Sequence, residues 1–433
     1  MRDSILLFKV NKMHFLIALL VLIILEYSIY LIGSNIIDKT IKIIVPIILI
    51  IFFKNYRLSK DRLTVICLYG LLFCCVFHLD NAGIIQWLKY LLMFLILPIV
   101  LLKFPTGKHI PDILIKILIL LGIIFSIQAL ILFFIIWLKI PIQPEIITIA
   151  RYDNMAIASY GILGYVNTIQ SPYAGILISR SQGWFLEPSL LASFLIYPVL
   201  VSLGYYLSSN KKRYFVAAVL CLCGLLSTFS LAGFFGLLTG LLVLAIFRII
   251  KDKRTGIIAI ALSGLIILLL ANSIMHSLNN YHTNPEGSGV KKIIARDPDG
   301  PSGNLFRENY NLPNYLRIIK DNPFGIGLGK TMEADSEFIS ANAIVFWFIT
   351  GGLPAVLVLI LLYLKLIFSY CLPLLRQRYW PYSFIAASFI GVTVHNLSYG
   401  NWMSPYYLFI VALMILCYDD FRLSSQNNIH GIR

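Results

Sequence analysis

Two stretches of this chain carry side chains suited to gripping an anion and handling a hydroxyl. The first reads Ser179-Arg180-Ser181-Gln182-Gly183-Trp184-Phe185-Leu186-Glu187-Pro188-Ser189. Arg180 is a permanent cation whose planar fork matches phosphate oxygens, and Glu187 is an acid able to orient or deprotonate a hydroxyl. A plainer reading stands beside this one. Pro188 suits the first turn of a helix, Glu187 suits the positive end of its dipole, Trp184 suits a membrane interface, and Arg180 suits lipid phosphates.

The second stretch runs from Leu278 to Phe338 and is divided by charge. Lys291, Lys292, Arg296, Arg307, Arg317 and Lys320 precede Asp321, whereas Glu333, Asp335 and Glu337 follow it. Pro313 opens a short predicted helix over residues 314–320, which puts Arg317 and Lys320 on one face. A diphosphate fits such a group, and the alternative is a solvated loop whose charges pair internally. Gly325-Ile326-Gly327-Leu328-Gly329 lacks the spacing and the preceding strand of a nucleotide loop, and its glycines suit a tight backbone passage. His395-Asn396 adds a base near the end of a later apolar run, in competition with a hydrogen-bonded packing role. Glu26, His78 and Asp80 are further ionisable residues in or beside apolar runs. No Asp/His cluster has metal-site spacing, so neither a metal nor a cofactor is expected.

These stretches interrupt a chain that belongs in lipid. It is 59% hydrophobic and 13% charged, with a mean hydropathy of +0.85, about half the charge of a soluble domain. The net charge of +15 resides mostly in short loops between apolar runs, without the interleaved aromatics of a nucleic-acid face. All seven cysteines fall within or at the ends of apolar runs and read as small hydrophobes of a bundle core.

A helix crosses the hydrocarbon layer with about 20 apolar residues. Runs of that size centre on 13–32, 36–53, 63–79, 84–102, 113–138, 188–207, 214–229, 232–249, 256–276, 340–364, 380–398 and 403–418. The division of 214–250 rests on charge. Lys211, Lys212 and Arg213 precede it, and Arg248, Lys251, Lys253 and Arg254 close it, so an even number of crossings lies between. The fold class expected is therefore all-α, a single polytopic membrane bundle over 1–433 with about twelve spans. Both termini are placed in the cytoplasm, and two long loops, 139–187 and 277–339, face outward.

The pieces, in this order, resemble the O-antigen polymerase and O-antigen ligase superfamily. The resemblance rests on Arg180-Ser-Gln-Gly-Trp-Phe-Leu-Glu187-Pro188-Ser189, on Ser227-Thr228-Phe229-Ser230-Leu231-Ala232-Gly233, and on Arg307 followed by Asp321-Asn-Pro-Phe-Gly-Ile-Gly-Leu-Gly329, Asn342 and Gly351-Gly352. It covers roughly residues 175–355. It implies a GT-C-like, metal-independent membrane glycosyltransferase of the bacterial inner membrane. The substrate would be undecaprenyl-diphosphate-linked oligosaccharide, the product an O-antigen or capsule, and a chain-length regulator protein a partner. Arg180 and Arg307 would hold the diphosphate, with Arg317, Lys320 and Asn342 adding contacts. Glu187, then Glu337 and His395, would act on the acceptor hydroxyl. Ligases of this superfamily carry a histidine before the Asn that opens the span after the second loop. Here that place reads Ser340-Ala341-Asn342, which favours a polymerase over a ligase. A flippase is the rival from another class, but it would keep its charges inside the bundle and its loops short.

Overall fold

The computed structural model describes residues 62–75, 110–138, 140–142, 145–149, 155–160, 163–168, 179–185, 187–249, 320–328, 343–377, 379–398 and 405–430, with isolated positions at 84, 87, 88 and 91. These residues are mostly helical. In chain order come α1 (Arg62–Cys74), α2 (Ile110–Trp137), strands β1 (Glu145–Ile149), β2 (Met155–Ser159), β3 (Tyr165–Thr168) and β4 (Ser179–Gly183), then α3 (Pro188–Ser209), α4 (Lys212–Ser227) and α5 (Leu231–Ile249). After them come α6 (Ala343–Leu366), a π-helical turn (Ile367–Cys371), α7 (Leu372–Leu375), α8 (Trp380–Ser398) and α9 (Pro405–His430). The expected spans 13–32, 36–53 and 256–276, and nearly all of 84–102, lie outside the described residues, as does Glu26. The other eight fall on helices.

Among the described residues, three helices are long and apolar enough to cross a membrane, Asp112–Trp137, Pro188–Ser209 and Phe346–Leu375, and Ala232–Phe247 is a shorter apolar helix. Leu120, Ile124, Ile127, Ile131 and Phe134 recur along one face of α2 and are exposed. Leu353, Leu357, Ile360, Leu361, Leu364 and Phe368 do the same on α6 and the turn after it. Apolar stripes of this length are unfavourable against water and at home against acyl chains.

The centre of the bundle is α3, in which every residue from Pro188 to Ser202 is buried. Ring and glycine contacts give the direction of its neighbours. Phe125 of α2 meets Phe194 and Gly122 meets Pro198, so α2 and α3 are antiparallel. Gly233, Gly236 and Gly240 of α5 lie against Ala192, Ile196 and Leu200, which makes α5 parallel to α3. Gly236 also faces Gly391 of α8, and Gly240 faces Ala387, so α8 runs opposite to both. A β-carbon at Gly236 would sit 2.5 Å from the Gly391 carbonyl oxygen. Small residues thus let two backbones touch, the usual solution where lipid supplies no hydrophobic drive between helices.

The segment 214–250 is two helices, as the charge parity requires. The turn between them is Thr228-Phe229-Ser230, with Phe229 at a φ of 47°. Ser230 Oγ accepts from Gly233 N at 3.2 Å, capping α5. Since α5 runs parallel to α3, the basic residues Lys211–Arg213 and the end of α5 share one side of the bundle. On that same side Tyr382 donates to Asp420 at 2.6 Å, and Tyr205 donates to Asp112.

The fold class expected is all-α, but residues 145–183 form a four-stranded antiparallel meander in the order β1-β2-β3-β4. Its strands have only four or five residues, too few to stand out as alternating runs.

The break in α6 occurs at Gly352, with φ 68° and ψ −163°. The glycine-rich segment fills it: Ile326 N donates to Ile349 O at 2.7 Å, Gly327 N to Thr350 O at 3.0 Å, and Leu353 N to Pro323 O at 3.1 Å. The groups freed by the break are therefore satisfied by protein, as a low-dielectric setting demands.

Two outcomes are expected. Single cysteines at Lys211 and Lys251 should react with an impermeant maleimide from one side of the membrane, and a cysteine at Tyr160 from the other. Labelling of Lys211 and Lys251 from opposite sides would contradict the two-helix reading. Gly236→Val should destabilise the bundle by about 1–3 kcal/mol, through overpacking against Gly391, seen as a lower melting temperature in detergent.

Candidate active site

The end of the bundle opposite Lys211 gathers Arg180, Glu187, Ser189, Thr228 and His395. An aromatic cluster fixes the approach. Phe125 stands edge-on to Phe185 at 5.1 Å and to Phe194 at 5.3 Å, and Trp184 packs on Phe125 at 6.0 Å. Phe194 in turn meets Tyr406 at 4.9 Å, and the Tyr406 hydroxyl donates to Phe194 O at 2.9 Å. Trp184 is thus part of this packing, half-buried, beyond the interfacial anchor that its type suggested. The turn from β4 into α3 is held by Phe185 N donating to Gln182 O at 3.0 Å.

Arg180 is half-buried on β4, and its Nε donates to the Thr228 carbonyl at 2.9 Å. The turn offering that carbonyl is stiffened by its own hydroxyls, with Ser227 Oγ donating to Gly224 O and Thr228 Oγ1 to Leu225 O, both at 2.7 Å. Holding the guanidinium through Nε leaves its two terminal nitrogens without a hydrogen-bond partner among the described residues. Those are the donors of a bidentate grip. Burial pushes the guanidinium down to about 10, and the Glu187 carboxylate opposes that shift. It remains a cation at neutral pH.

Glu187 occupies the N-cap of α3 with extended backbone, φ −145° and ψ 150°, and Pro188 follows in the first turn. The cap is made by its backbone: Glu187 O accepts from Leu190 N at 3.1 Å and Leu191 N at 3.3 Å. Its carboxylate makes no cap hydrogen bond. Ser189 Oγ donates to Oε2 at 3.4 Å instead. Position explains Pro188 fully and the Glu187 side chain only in part, because the dipole alone would be served by any acid there.

His395 is wholly buried near the end of α8, beside Gly236 of α5 and the Ser189 backbone of α3. Its Nδ1 lies 3.2 Å from Asn396 Oδ1. The packing role weighed for this histidine is the one its surroundings describe, although it lies on the same end as Glu187. Lys320 is exposed in a helical turn before Asp321, on the segment that plugs α6. Arg307, Arg317, Glu337 and Asn342 lie outside the described residues, as do His78 and Asp80. No group of three or more His, Cys, Asp or Glu is placed to hold a metal among the described residues.

What the sequence reading missed was the partner of Arg180. Ser227 to Ser230 was noticed as a motif without a task, and a contact spanning 48 residues leaves no local trace.

The fold and the exposed apolar stripes define a multi-pass helical membrane protein. Residues 216–360 match the family model described as O-antigen ligase, which is consistent with the superfamily its motifs resemble. The match begins in α4, includes the Thr228 turn and the glycine-rich plug, and ends in α6. It fits an O-antigen ligase or polymerase type of function, in which a membrane enzyme processes a lipid-linked glycan. No curated protein matches the chain.

Phe125→Ala should remove the support beneath the β4–α3 turn. The expected cost is about 3–5 kcal/mol of stability, measured as a lower melting temperature in detergent.

Proposed function

We propose that the protein is a polysaccharide polymerase, a glycosyltransferase that joins undecaprenyl-diphosphate-linked oligosaccharide repeat units on the outer face of the cytoplasmic membrane. The observation that carries the reading is Arg180, half-buried, anchored through Nε on the Thr228 carbonyl, with its terminal nitrogens open and Glu187 nearby. In glycosyl transfer from a lipid diphosphate, an acceptor hydroxyl attacks the anomeric carbon and the bond from that carbon to the diphosphate oxygen breaks. The diphosphate leaves with the electron pair, so charge builds on its oxygens. A pre-positioned guanidinium in a poorly hydrated site stabilises that charge more in the transition state than in the ground state. Glu187 accepts the proton lost by the acceptor. Arg307 supplies a second cation to the diphosphate, with Arg317, Lys320 and Asn342 further along the same outer stretch.

Ser340-Ala341-Asn342, without the histidine of the ligases, favours joining of repeat units over transfer of finished chains. The second reading is an O-antigen ligase, favoured by the description of the matching family. A deletion strain separates them. A polymerase leaves surface glycan with a single repeat unit, a ligase leaves full chains on the lipid carrier, and a flippase leaves single units on the cytoplasmic leaflet.

Arg180→Ala and Arg307→Ala should each stop chain extension at matched protein levels, and Arg180→Lys should rescue only partly because the fork is lost. One such contact is worth about 2–4 kcal/mol, roughly thirty- to a thousand-fold in rate. Glu187→Gln should preserve the backbone cap while crippling extension. Normal glycan ladders from Arg180→Ala and Arg307→Ala would remove the assignment.

A further inference from the structure

Gln182 is wholly buried, and among the described residues neither its amide oxygen nor its amide nitrogen has a hydrogen-bond partner. Buried amides in folded proteins are nearly always paired, so one left open on both atoms calls for a cause. Its position in the sheet supplies a second observation. On the pair β3–β4, Val166 stands opposite Ser181 and Tyr165 opposite Gly183, with a register shift between them. Gln182 is the extra residue of a β-bulge. Bulges re-aim a side chain out of the strand's alternation and recur beside active sites. The residue is also pinned, since its carbonyl holds Phe185 N and Phe185 is locked against Phe125. A misplaced amide therefore has little freedom to find a partner of its own.

We infer that Gln182 is a substrate-binding residue whose amide hydrogen-bonds the hydroxyls of the sugar ring adjoining the lipid diphosphate. The inference rests on the reading of Arg180 as a diphosphate contact. Two residues along a strand span roughly 6–7 Å, which sets Gln182 one sugar ring away from a phosphate held at Arg180. The chemistry also fits. An amide presents a donor and an acceptor side by side and carries no charge, which suits vicinal hydroxyls better than phosphate. The neighbouring Ser181 hydroxyl is likewise buried and without a partner among the described residues.

The test uses Gln182→Leu and Gln182→Met, with Tyr197→Phe as a control. Tyr197 carries another buried hydroxyl without a partner among the described residues, set in the middle of α3. Each purified variant is assayed for melting temperature and for extension of the lipid-linked repeat unit isolated from the deletion strain. Both Gln182 variants should melt at or above the wild-type temperature, because an orphaned polar group has been removed. Their extension rate at low substrate should fall tenfold or more, with the half-saturating concentration of repeat unit raised. Tyr197→Phe should extend normally. Wild-type extension by either folded Gln182 variant overturns the proposal, and so does a lowered melting temperature in both, which would give the amide a structural partner. Arg180→Ala keeps the two readings apart. If it blocks extension while Gln182→Leu does not, only the Gln182 assignment fails. If both extend normally, the diphosphate reading fails as well.

Discussion

The arrangement depends on the complete enclosure of α3. A helix buried on every face over four turns must touch protein on all sides, and each neighbour has answered differently. The α2 helix brings aromatic rings, α5 brings three glycines and α8 brings small residues with Phe384. Because α5 is parallel to α3 and α8 antiparallel to both, the N-terminus of α3, the Thr228 turn and His395 arrive at one level. Glu187 is therefore held at the start of a helix buried on every face. Arg180 reaches the same level from a strand, and its hydrogen bond to Thr228 O ties the sheet to the bundle.

Such a site suits a reaction that needs positioning and charge. Among the described residues, Arg180, Glu187 and His395 are grouped at one end, on a platform of packed rings. Ser126 on α2 and Ser202 on α3 are buried polar residues deeper in, but they are uncharged. A path for a charged headgroup through the core would need more. The grouping at the end is the arrangement expected where chemistry occurs at the edge of the lipid and the greasy carrier stays within it.

Much of the bundle was legible in the sequence, because hydrocarbon thickness sets a length and loop charge sets a direction. The split at Thr228 is the clearest case. Composition alone permitted one helix from Tyr214 to Ile250, and the two basic clusters required two. The start of α3 was legible too, since Pro at the first turn and an acid before it are local signals. The β-meander was not, because a five-residue strand such as Met155–Ser159 becomes a strand only through its partners. The Arg180–Thr228 bond and the bulge at Gln182 were hidden for the same reason. Both are products of pairing between distant segments, and a side chain's open hydrogen bonds are visible only once its surroundings are built.

The plug in α6 has a consequence for how the gene can change. Residues 323–327 and 349–353 are joined by three backbone hydrogen bonds, and Gly325 and Gly352 both adopt positive φ with almost no room between them. An insertion of even one residue in either short segment would shift the register and strand the groups beside the break. Descendants of this sequence should therefore keep both segments fixed in length, and indels should avoid residues 323–327 and 349–353.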